Sequence, residues 1–184
     1  MMKLLAEWLE FVTILKRHGV RFLIVGAHAV AAHGRPRATE DFDVLVEPTP
    51  ANAKRVSAAI AEFGFRETGR DWRWFAKPYR IVMMGELPFR IDVLTSISGV
   101  SFKTAWRNRS SMPTDVGDVG VIGLADLRAN KKAAGRTKDL LDLALLDELE
   151  LAKKPTRAAS RSRSTRRRPV AARSRKPGTA KRRG

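Results

Sequence analysis

The stretch RPRATEDFDVLVEP, residues 35–48, places two aspartates one residue apart inside an apolar run. Successive side chains of a β-strand point to opposite faces of a sheet. A strand here therefore puts Asp41 and Asp43 on one face, and Phe42 and Val44 on the other. The apolar face is suited to a core. The face with two like charges needs a cation or hydrogen-bond donors between the carboxylates.

A second segment, FRIDVLT (89–95), repeats this alternation. Ile91 and Val93 share one face of the predicted strand, and Asp92 lies on the other. If the apolar faces of this strand and of strand 41–47 are aligned, Asp92 joins the aspartate pair. Three carboxylates on the open face of a sheet suit hard divalent cations, which prefer oxygen ligands and also bind phosphates. A pair of such ions stabilises the attacking and leaving oxygens of phosphoryl or nucleotidyl transfer.

The same aspartates have a simpler interpretation, in which each makes its own salt bridge at the surface. Arg35, Arg37 and Arg90 are close enough in sequence to supply the partners. The ordered set of strand, glycine, helix, D-x-D and a third aspartate in phase favours the ion site over three separate salt bridges.

The composition bounds the class of protein. A length of 184 residues suits one domain, and 43% hydrophobic residues are enough for a sizeable core. The absence of cysteine excludes disulfides and thiolate metal sites, and it agrees with a cytoplasmic protein. No apolar run approaches the roughly eighteen residues of a membrane span. The first nineteen residues have the pattern of an amphipathic helix and not of a secretion signal. We therefore predict a cytoplasmic protein with no membrane partner.

The net charge of +17 is unevenly placed along the chain. Residues 153–184 contain fourteen Lys or Arg and no acidic residue, whereas residues 1–152 carry a net charge of only +3. We predict a folded domain at 1–151 and a disordered basic tail at 152–184, because the tail has few large apolar residues and one sign of charge. Such an arm is typical of salt-sensitive, sequence-indifferent binding to nucleic acid. A solubilising extension is the alternative.

Apolar spacing and turn residues predict helices alternating with short strands. The clearest helix start is Thr49 as N-cap followed by Pro50. The other predicted elements are a helix ending near Gly19, a strand at 21–25, a helical turn after Gly26, a strand around Trp72 and Trp74, strands in YRIVMMG, FRIDVLT and DVGVIG, and two helices separated by Gly135 and Arg136.

The run FLIVGAHAVAAHGRPRATEDFDVLVEP (22–48) resembles the nucleotidyltransferase superfamily, whose pattern is an apolar strand, a Gly-Gly or Gly-Ser turn, and D-x-D on the next strand. It is most similar to the minimal nucleotidyltransferases of prokaryotes and to the abortive-infection type of toxin–antitoxin system. In those proteins G-x-x-R-x-T-x-D-x-D leads into the paired aspartates, here Gly34, Arg37, Thr39, Asp41 and Asp43. The stretch LADLRANKKAAGRTKDLLDLALL (124–146) is similar to the C-terminal helices of the family, with matching residues at Lys131, Arg136, Asp139 and Asp142.

The resemblance implies an α/β fold of the α+β type, with a mixed β-sheet flanked by helices and with C-terminal helices before the basic tail. It implies that Asp41 and Asp43 are catalytic metal ligands. Asp92 is the third carboxylate, either a further ligand or the base for an acceptor hydroxyl. The implied cofactor is Mg²⁺, as two ions, with Mn²⁺ as an alternative.

The resemblance also implies a nucleotide-binding set. Gly26 and Ala27 place backbone N–H groups at a helix start, which favours phosphates. Arg37 and Lys131 hold phosphates electrostatically, with Thr39 in the same set. The alternative for both cations is a solvated surface charge. Ala27 departs from the family pattern, because many active members carry Ser or Gly there and alanine offers no hydroxyl.

The predicted function is Mg²⁺-dependent transfer of a nucleoside monophosphate from an NTP to an acceptor hydroxyl. The acceptor is RNA, in particular a tRNA end, or a side chain of a partner protein, and a role in a toxin–antitoxin system fits the resemblance. An aminoglycoside acceptor is disfavoured, because a polycationic tail has no obvious use with a cationic drug. The alternative from another class is a catalytically silent module that binds nucleic acid or protein.

Overall fold

A computed structural model describes residues 4–69 and 71–153, and the side chains up to residue 148. The predicted disorder and nucleic-acid binding of the tail from residue 154 onward lie outside the described residues. The elements in chain order are α1 (Ala6–Arg17), β1 (Phe22–Ile24), α2 (Gly26–Ala32), β2 (Asp41–Val46), α3 (Pro50–Glu62), α4 (Arg66–Gly69), α5 (Trp72–Phe75), β3 (Ile81–Met84), β4 (Arg90–Leu94), α6 (Phe102–Arg107), β5 (Ser110–Met112), β6 (Val119–Val121), α7 (Leu124–Ala134) and α8 (Thr137–Lys153).

The strands form one mixed sheet in the order β3-β4-β2-β1-β6-β5. β2 runs parallel to β4, and β1 runs parallel to β6, while the other neighbouring pairs are antiparallel. Helices pack on this sheet, and α7 and α8 follow it. The predicted fold class, an α/β fold with a mixed sheet flanked by helices and with C-terminal helices, is confirmed.

The alternation of β2 divides the sheet into an apolar face and a polar face. Phe42 and Val44 are fully buried. The Phe42 ring stacks on Trp8 of α1, with 5.3 Å between the ring centroids. α1 therefore lies over the apolar face, and the aspartates of β2 point to the other side of the sheet.

Local signals in the sequence explain where several helices begin and end. The Thr49 hydroxyl accepts a hydrogen bond from the Asn52 N–H, and Pro50 occupies the first turn of α3, as predicted. α7 ends at Gly135, whose φ of +64° is the left-handed conformation that glycine adopts most easily.

The predicted strand around Trp72 and Trp74 is wrong, because both residues lie in the short helix α5. The Asp71 carboxylate caps this helix by accepting a hydrogen bond from the Arg73 N–H at 3.0 Å. α5 packs against α3 and buries Phe75 completely. The cap and this burial outweigh the β-propensity of the two tryptophans. In the described part of the chain, no helix has the length and apolar character needed to cross a bilayer.

Candidate active-site cleft

The turn from β1 into α2 brings the backbone against an aspartate of the neighbouring strand. Gly26 opens α2 with a φ of +63°. A Cβ atom at this position would overlap the Asp43 carboxylate. Glycine is therefore required here for its left-handed backbone and for its lack of a side chain. The turn after β1 is therefore in contact with the D-x-D strand, and the nucleotide-binding role of Gly26 stays a prediction.

The strand that carries Asp92 lies beside the strand that carries Asp41 and Asp43, as the aligned apolar faces predict. β2 and β4 are adjacent and parallel, with Asp43 opposite Asp92 and with Asp41 opposite Arg90. Residues opposite each other in a parallel pair share a face of the sheet. Ile91 belongs to the opposite face, and it is buried. The three carboxylates therefore lie on the polar face of the sheet.

Arg90 joins two of these carboxylates. Its Nε donates to Asp92 Oδ1 at 2.8 Å, and its Nη2 donates to Asp92 Oδ2 and to Asp41 Oδ2, both at 3.1 Å. Thr39 Oγ1 donates to Asp41 Oδ1 at 2.7 Å. Asp41 and Asp92 thus share one arginine. In residues 4–69 and 71–153, no group of three or more His, Asp or Glu side chains is arranged to hold a metal ion. The predicted metal-ligand roles stay predictions.

Asp43 is in a different electrostatic state from its two neighbours. Burial, together with the negative charges of Asp41 and Asp92, raises the pKa of the Asp43 carboxyl to about 6, although Lys131 and Lys138 act in the opposite direction. Hydrogen bonding from Thr39 and the charges of Lys138 and Arg90 instead lower the pKa of Asp41, although burial raises it. The negative charge of Asp43 is therefore less compensated than that of Asp41.

These residues fit a divalent cation in their chemistry. Carboxylate oxygens are the ligands that Mg²⁺ and Mn²⁺ prefer. A cation beside Asp43 would also relieve the repulsion that raises its pKa. Binding that includes Asp41 or Asp92 requires the Arg90 guanidinium to give up hydrogen bonds to them. The site is suited to an ion that displaces an arginine.

A cleft of about 380 Å³ opens above Gly26 and Asp43. Its charged lining also includes Lys131 and Arg136, and its uncharged polar lining comprises Ser96, Ser98 and Asn130. The apolar and aromatic lining comprises Val25, Tyr79, Ile81, Leu94, Ile97 and Ala134. A cleft with charged and apolar parts is suited to a ligand that has both.

Lys131 lies in a buried charge cluster. It is only 3% exposed, and its Nζ contacts Asp139 Oδ1 at 2.9 Å and Asp142 Oδ2 at 2.8 Å. Both aspartates are fully buried. The interpretation of Lys131 as a solvated surface charge is wrong, because a lysine with two buried anionic partners is held inside. Its ammonium group is paired with two aspartates of α8, although the residue lines the cleft.

Two arginines complete this cluster. Arg37 makes a bidentate pair with Asp142, with Nε–Oδ1 at 2.6 Å and Nη2–Oδ2 at 3.1 Å. Arg136 Nε donates to Asp139 Oδ2 at 2.6 Å. Hydrogen bonds from Arg136 and Lys131 lower the pKa of Asp139 to about 2, although burial raises it. Three cations and two anions leave one positive charge in excess. Arg136 can present that charge to the cleft, because its side chain is 62% exposed.

The structure places only some of the predicted nucleotide-binding residues in the cleft. Gly26 and Lys131 line the cleft, whereas Arg37 pairs with Asp142 and Thr39 with Asp41. Ala27 is buried. Sequence reasoning missed the cleft positions of Arg136 and Tyr79. For Arg136 a signal existed, since it belongs to the matched positions of the C-terminal helices, but it was not selected as a binding residue.

The raised pKa of Asp43 predicts a pH-dependent stability. Between pH 4 and pH 6 the folded state keeps a proton on Asp43 that the unfolded chain has lost. The free energy of unfolding therefore falls as the pH rises through this window, by at most about 3 kcal/mol for a shift of about two pKa units. Asp43→Asn removes this loss, so we expect the variant to be more stable than wild type at pH 7.5 and equally stable near pH 4.

Urea unfolding of both proteins across this pH range, with a chelator present, measures the difference. His28 has a pKa lowered to about 4 by burial, so it contributes the opposite slope in the same window. That contribution is common to both proteins and cancels in the difference. A constant difference in stability from pH 4 to pH 7.5 would show that Asp43 titrates normally.

A second prediction concerns the contact between Gly26 and Asp43. Gly26→Ala forces a side chain into the Asp43 carboxylate and into a left-handed backbone. We expect it to lower the free energy of unfolding by about 1–3 kcal/mol and to close the floor of the cleft. Gly64→Ala is the matched control, because Gly64 also has a positive φ but a Cβ there meets nothing within 4 Å. Equal costs for the two variants would contradict the close approach.

No protein-family model and no curated protein matches the chain. Among solved structures, it is similar to an antigenic nucleotidyltransferase-like protein from Paracoccidioides brasiliensis, with 12% identity and a TM-score of 0.48 over 78% of this chain and 75% of that one. It is also similar to a proposed nucleotidyltransferase from Thermotoga maritima, with 12% identity and a TM-score of 0.46 over 79% of this chain and 91% of that one.

Proposed function

We propose that this chain is a Mg²⁺-dependent nucleotidyltransferase, which moves a nucleoside monophosphate from an NTP to an acceptor hydroxyl and releases pyrophosphate. One observation carries the proposal. Asp43 and Asp92 lie opposite each other on two parallel strands, and Asp43 faces a glycine with no room for a side chain. Of these residues, Gly26 and Asp43 line a cleft whose lining also includes Lys131 and Arg136.

The carboxylates of the site and the charged lining of the cleft then have chemical tasks. Asp41, Asp43 and Asp92 would hold Mg²⁺, which supplies charge neutralisation at the phosphates and at the leaving pyrophosphate. Glycine at position 26 leaves room for the Asp43 carboxylate against the start of α2, which keeps this carboxylate at the cleft. The exposed Arg136 guanidinium compensates phosphate charge at the cleft wall.

The transfer step balances without a further reactant. The acceptor oxygen forms a bond to the α-phosphorus, and the bond from that phosphorus to the bridging oxygen breaks. Pyrophosphate takes the electron pair of the broken bond. The hydroxyl proton passes to Asp92 or, through it, to solvent, which requires Asp92 to exchange its Arg90 hydrogen bonds for the acceptor.

RNA is the acceptor that the sequence favours, because fourteen positive charges follow the domain and bind polyanions without reading sequence. A hydroxyl side chain of a partner protein is the second choice. Within a cytoplasmic toxin–antitoxin system, either acceptor would suit an enzyme that modifies a component of translation or its own partner.

A second candidate function is a catalytically silent module that binds RNA or protein. Two observations favour it. Ala27 offers no hydroxyl at the turn after β1, and Arg90 already neutralises Asp41 and Asp92. A permanent salt bridge in place of the ion would leave the fold intact and the chemistry absent.

Isotope position separates these candidates. Purified protein is incubated with Mg²⁺, total RNA and lysate protein, and with each NTP labelled either at the α- or at the γ-phosphate. We expect the α-label to enter RNA and the γ-label to appear only in pyrophosphate. Entry of the α-label into protein would identify a protein acceptor. Entry of the γ-label into either pool would indicate phosphoryl transfer and contradict the proposal, and no entry of any label would favour the silent module.

A further inference from the structure

The cleft lining divides by strand, in the sheet order β3-β4-β2-β1. Gly26 follows β1 and Asp43 belongs to β2, and these residues form the charged end, where phosphates and metal would sit. Lining residues on or next to β3 and β4 form the apolar end, which the transfer chemistry does not use: Tyr79, Ile81, Leu94 and Ile97.

Tyr79 is the most unusual of these residues. It is the only tyrosine of the chain, and its side chain is 85% exposed. In the described residues it is also the only non-glycine residue with a positive φ, at +58°. A bulky residue in this conformation is unfavourable, and an exposed ring recovers nothing by burial. An unfavourable conformation that is kept without burial is typical of positions where a side chain contacts a ligand.

The conformation is fixed by the neighbouring strand and is not a loose turn. The Tyr79 N–H donates to Ser96 Oγ at 3.2 Å, and the next N–H, of Arg80, donates to Thr95 Oγ1 at 3.0 Å. Thr95 returns a bond from its own N–H to the Arg80 carbonyl at 3.0 Å. These hydrogen bonds hold the start of β3 against the end of β4, and they fix the position of Tyr79 in the cleft lining.

Trp74 provides a contrast from the same region. Its ring is partly exposed, but the Arg80 guanidinium lies over it at 4.3 Å. For Tyr79, no ring–ring or cation–π contact is found in residues 4–69 and 71–153. Its ring faces are open to a planar partner.

We propose that Tyr79 is the stacking platform of a nucleobase subsite at the apolar end of the cleft. The inference rests on the proposed function, and it assigns the base of the NTP to Tyr79 while the triphosphate lies toward Gly26 and Arg136. Aromatic side chains stack on the π-face of any base. Ile81, which is 55% exposed, and Leu94 supply the apolar surface beside the ring.

Calorimetric titration of the full chain tests this subsite with two probes in the presence of Mg²⁺. ATP carries a base, whereas tripolyphosphate presents the phosphates alone. Titration of Gly26→Ala gives the background of anion binding outside the cleft, including that of the basic tail. We expect Tyr79→Ala to weaken ATP binding by about 5- to 150-fold and to leave tripolyphosphate binding unchanged.

Three further variants separate the ring from its hydroxyl and from the backbone. Tyr79→Phe keeps the ring, so we expect ATP affinity within about twofold of wild type. Tyr79→Gly removes the ring but relieves the positive φ, so it should lose ATP affinity without a lower melting temperature. Phe89→Ala removes another exposed aromatic ring, which does not line the cleft, and should change neither probe.

The outcomes distinguish this inference from the proposed function. If ATP binds above the Gly26→Ala background and Tyr79→Ala does not weaken it, the subsite is wrong and the proposed function stands. Equal weakening of ATP and tripolyphosphate, or loss in Tyr79→Phe as large as in Tyr79→Ala, also overturns the stacking role. If ATP does not bind above the background, the titration is repeated with GTP, CTP and UTP, and both proposals fall if none of the four binds.

Discussion

Lys131→Met is expected to lower the free energy of unfolding by about 3–5 kcal/mol. The lysine is 3% exposed and bridges Asp139 and Asp142, which are fully buried. Methionine fills a similar volume but leaves two buried carboxylates with one cation fewer. Their charge then has to be carried by Arg37 and Arg136, or removed by taking up protons.

Lys132→Met is the matched control, because it is the same change one position further along α7 at an exposed residue. We expect it to change stability by less than about 0.5 kcal/mol. Adding Asp142→Asn to Lys131→Met should cost less than the sum of the two single changes, because the neutral partner no longer needs the lysine. Chemical denaturation at pH 7 measures the wild type, the three single variants and the double variant. Equal costs for Lys131→Met and Lys132→Met would show that the buried cluster does not form.

The second large effect is on catalysis. Asp43→Asn and Asp92→Asn are each expected to reduce nucleotide transfer by at least about 100-fold, because the metal and the acceptor lose the groups that position them. Asp43→Asn should lose activity while gaining stability at pH 7.5, since burial and like charges oppose the ionised carboxyl. Opposite changes in activity and stability are typical of a residue kept for function.

Glu40→Gln is the control for these variants. It replaces a carboxylate by an amide in the same segment, at an exposed residue that does not line the cleft. Initial rates with the α-labelled NTP should be within about twofold of wild type. If Asp43→Asn keeps wild-type rates, or if Glu40→Gln loses as much as Asp43→Asn, the assignment of the carboxylates is wrong.

Much of the fold was predictable because its signals are local. Thr49 and Pro50 predict the start of α3 through hydrogen bonding and a fixed φ, and both operate within one turn. The alternation around Asp41 and Asp43 predicts which face of β2 is buried. The same alternation in 89–95 places Asp92 correctly once β4 lies beside β2.

The errors in the fold arise where tertiary contacts decide. α5 depends on the Asp71 cap and on Phe75 packing against α3, which the aromatic pattern of the segment does not reveal. The helix α6 and the strand β5 were not predicted. The strand β5 has the sequence SSM, with one apolar residue, and α6 is too short for a helical period to stand out from a loop, whereas the equally short β1 and β6 lie in apolar runs.

In the candidate site too, local signals were predictive, whereas features that depend on tertiary packing were not predicted. Three residues that line the cleft, Gly26, Asp43 and Lys131, were selected from spacing and resemblance, whereas their electrostatic surroundings were not predicted. The sharing of Arg90 between Asp41 and Asp92 and the burial of Lys131 depend on how distant elements pack. A buried cation cannot be told from a solvated one by sequence, since both occupy positions on an amphipathic helix.

Anomalous diffraction tests whether the three aspartates hold metal beside a nucleotide. A crystal of the protein is soaked with Mn²⁺ and a non-hydrolysable NTP, and an anomalous difference map is calculated at the manganese edge. We expect a peak coordinated by Asp43 and by at least one of Asp41 and Asp92, with the triphosphate next to Gly26 and the Arg90 guanidinium turned away from the ion. A bound nucleotide with no peak at these carboxylates, or a map in which Arg90 still joins Asp41 and Asp92, would contradict this expectation.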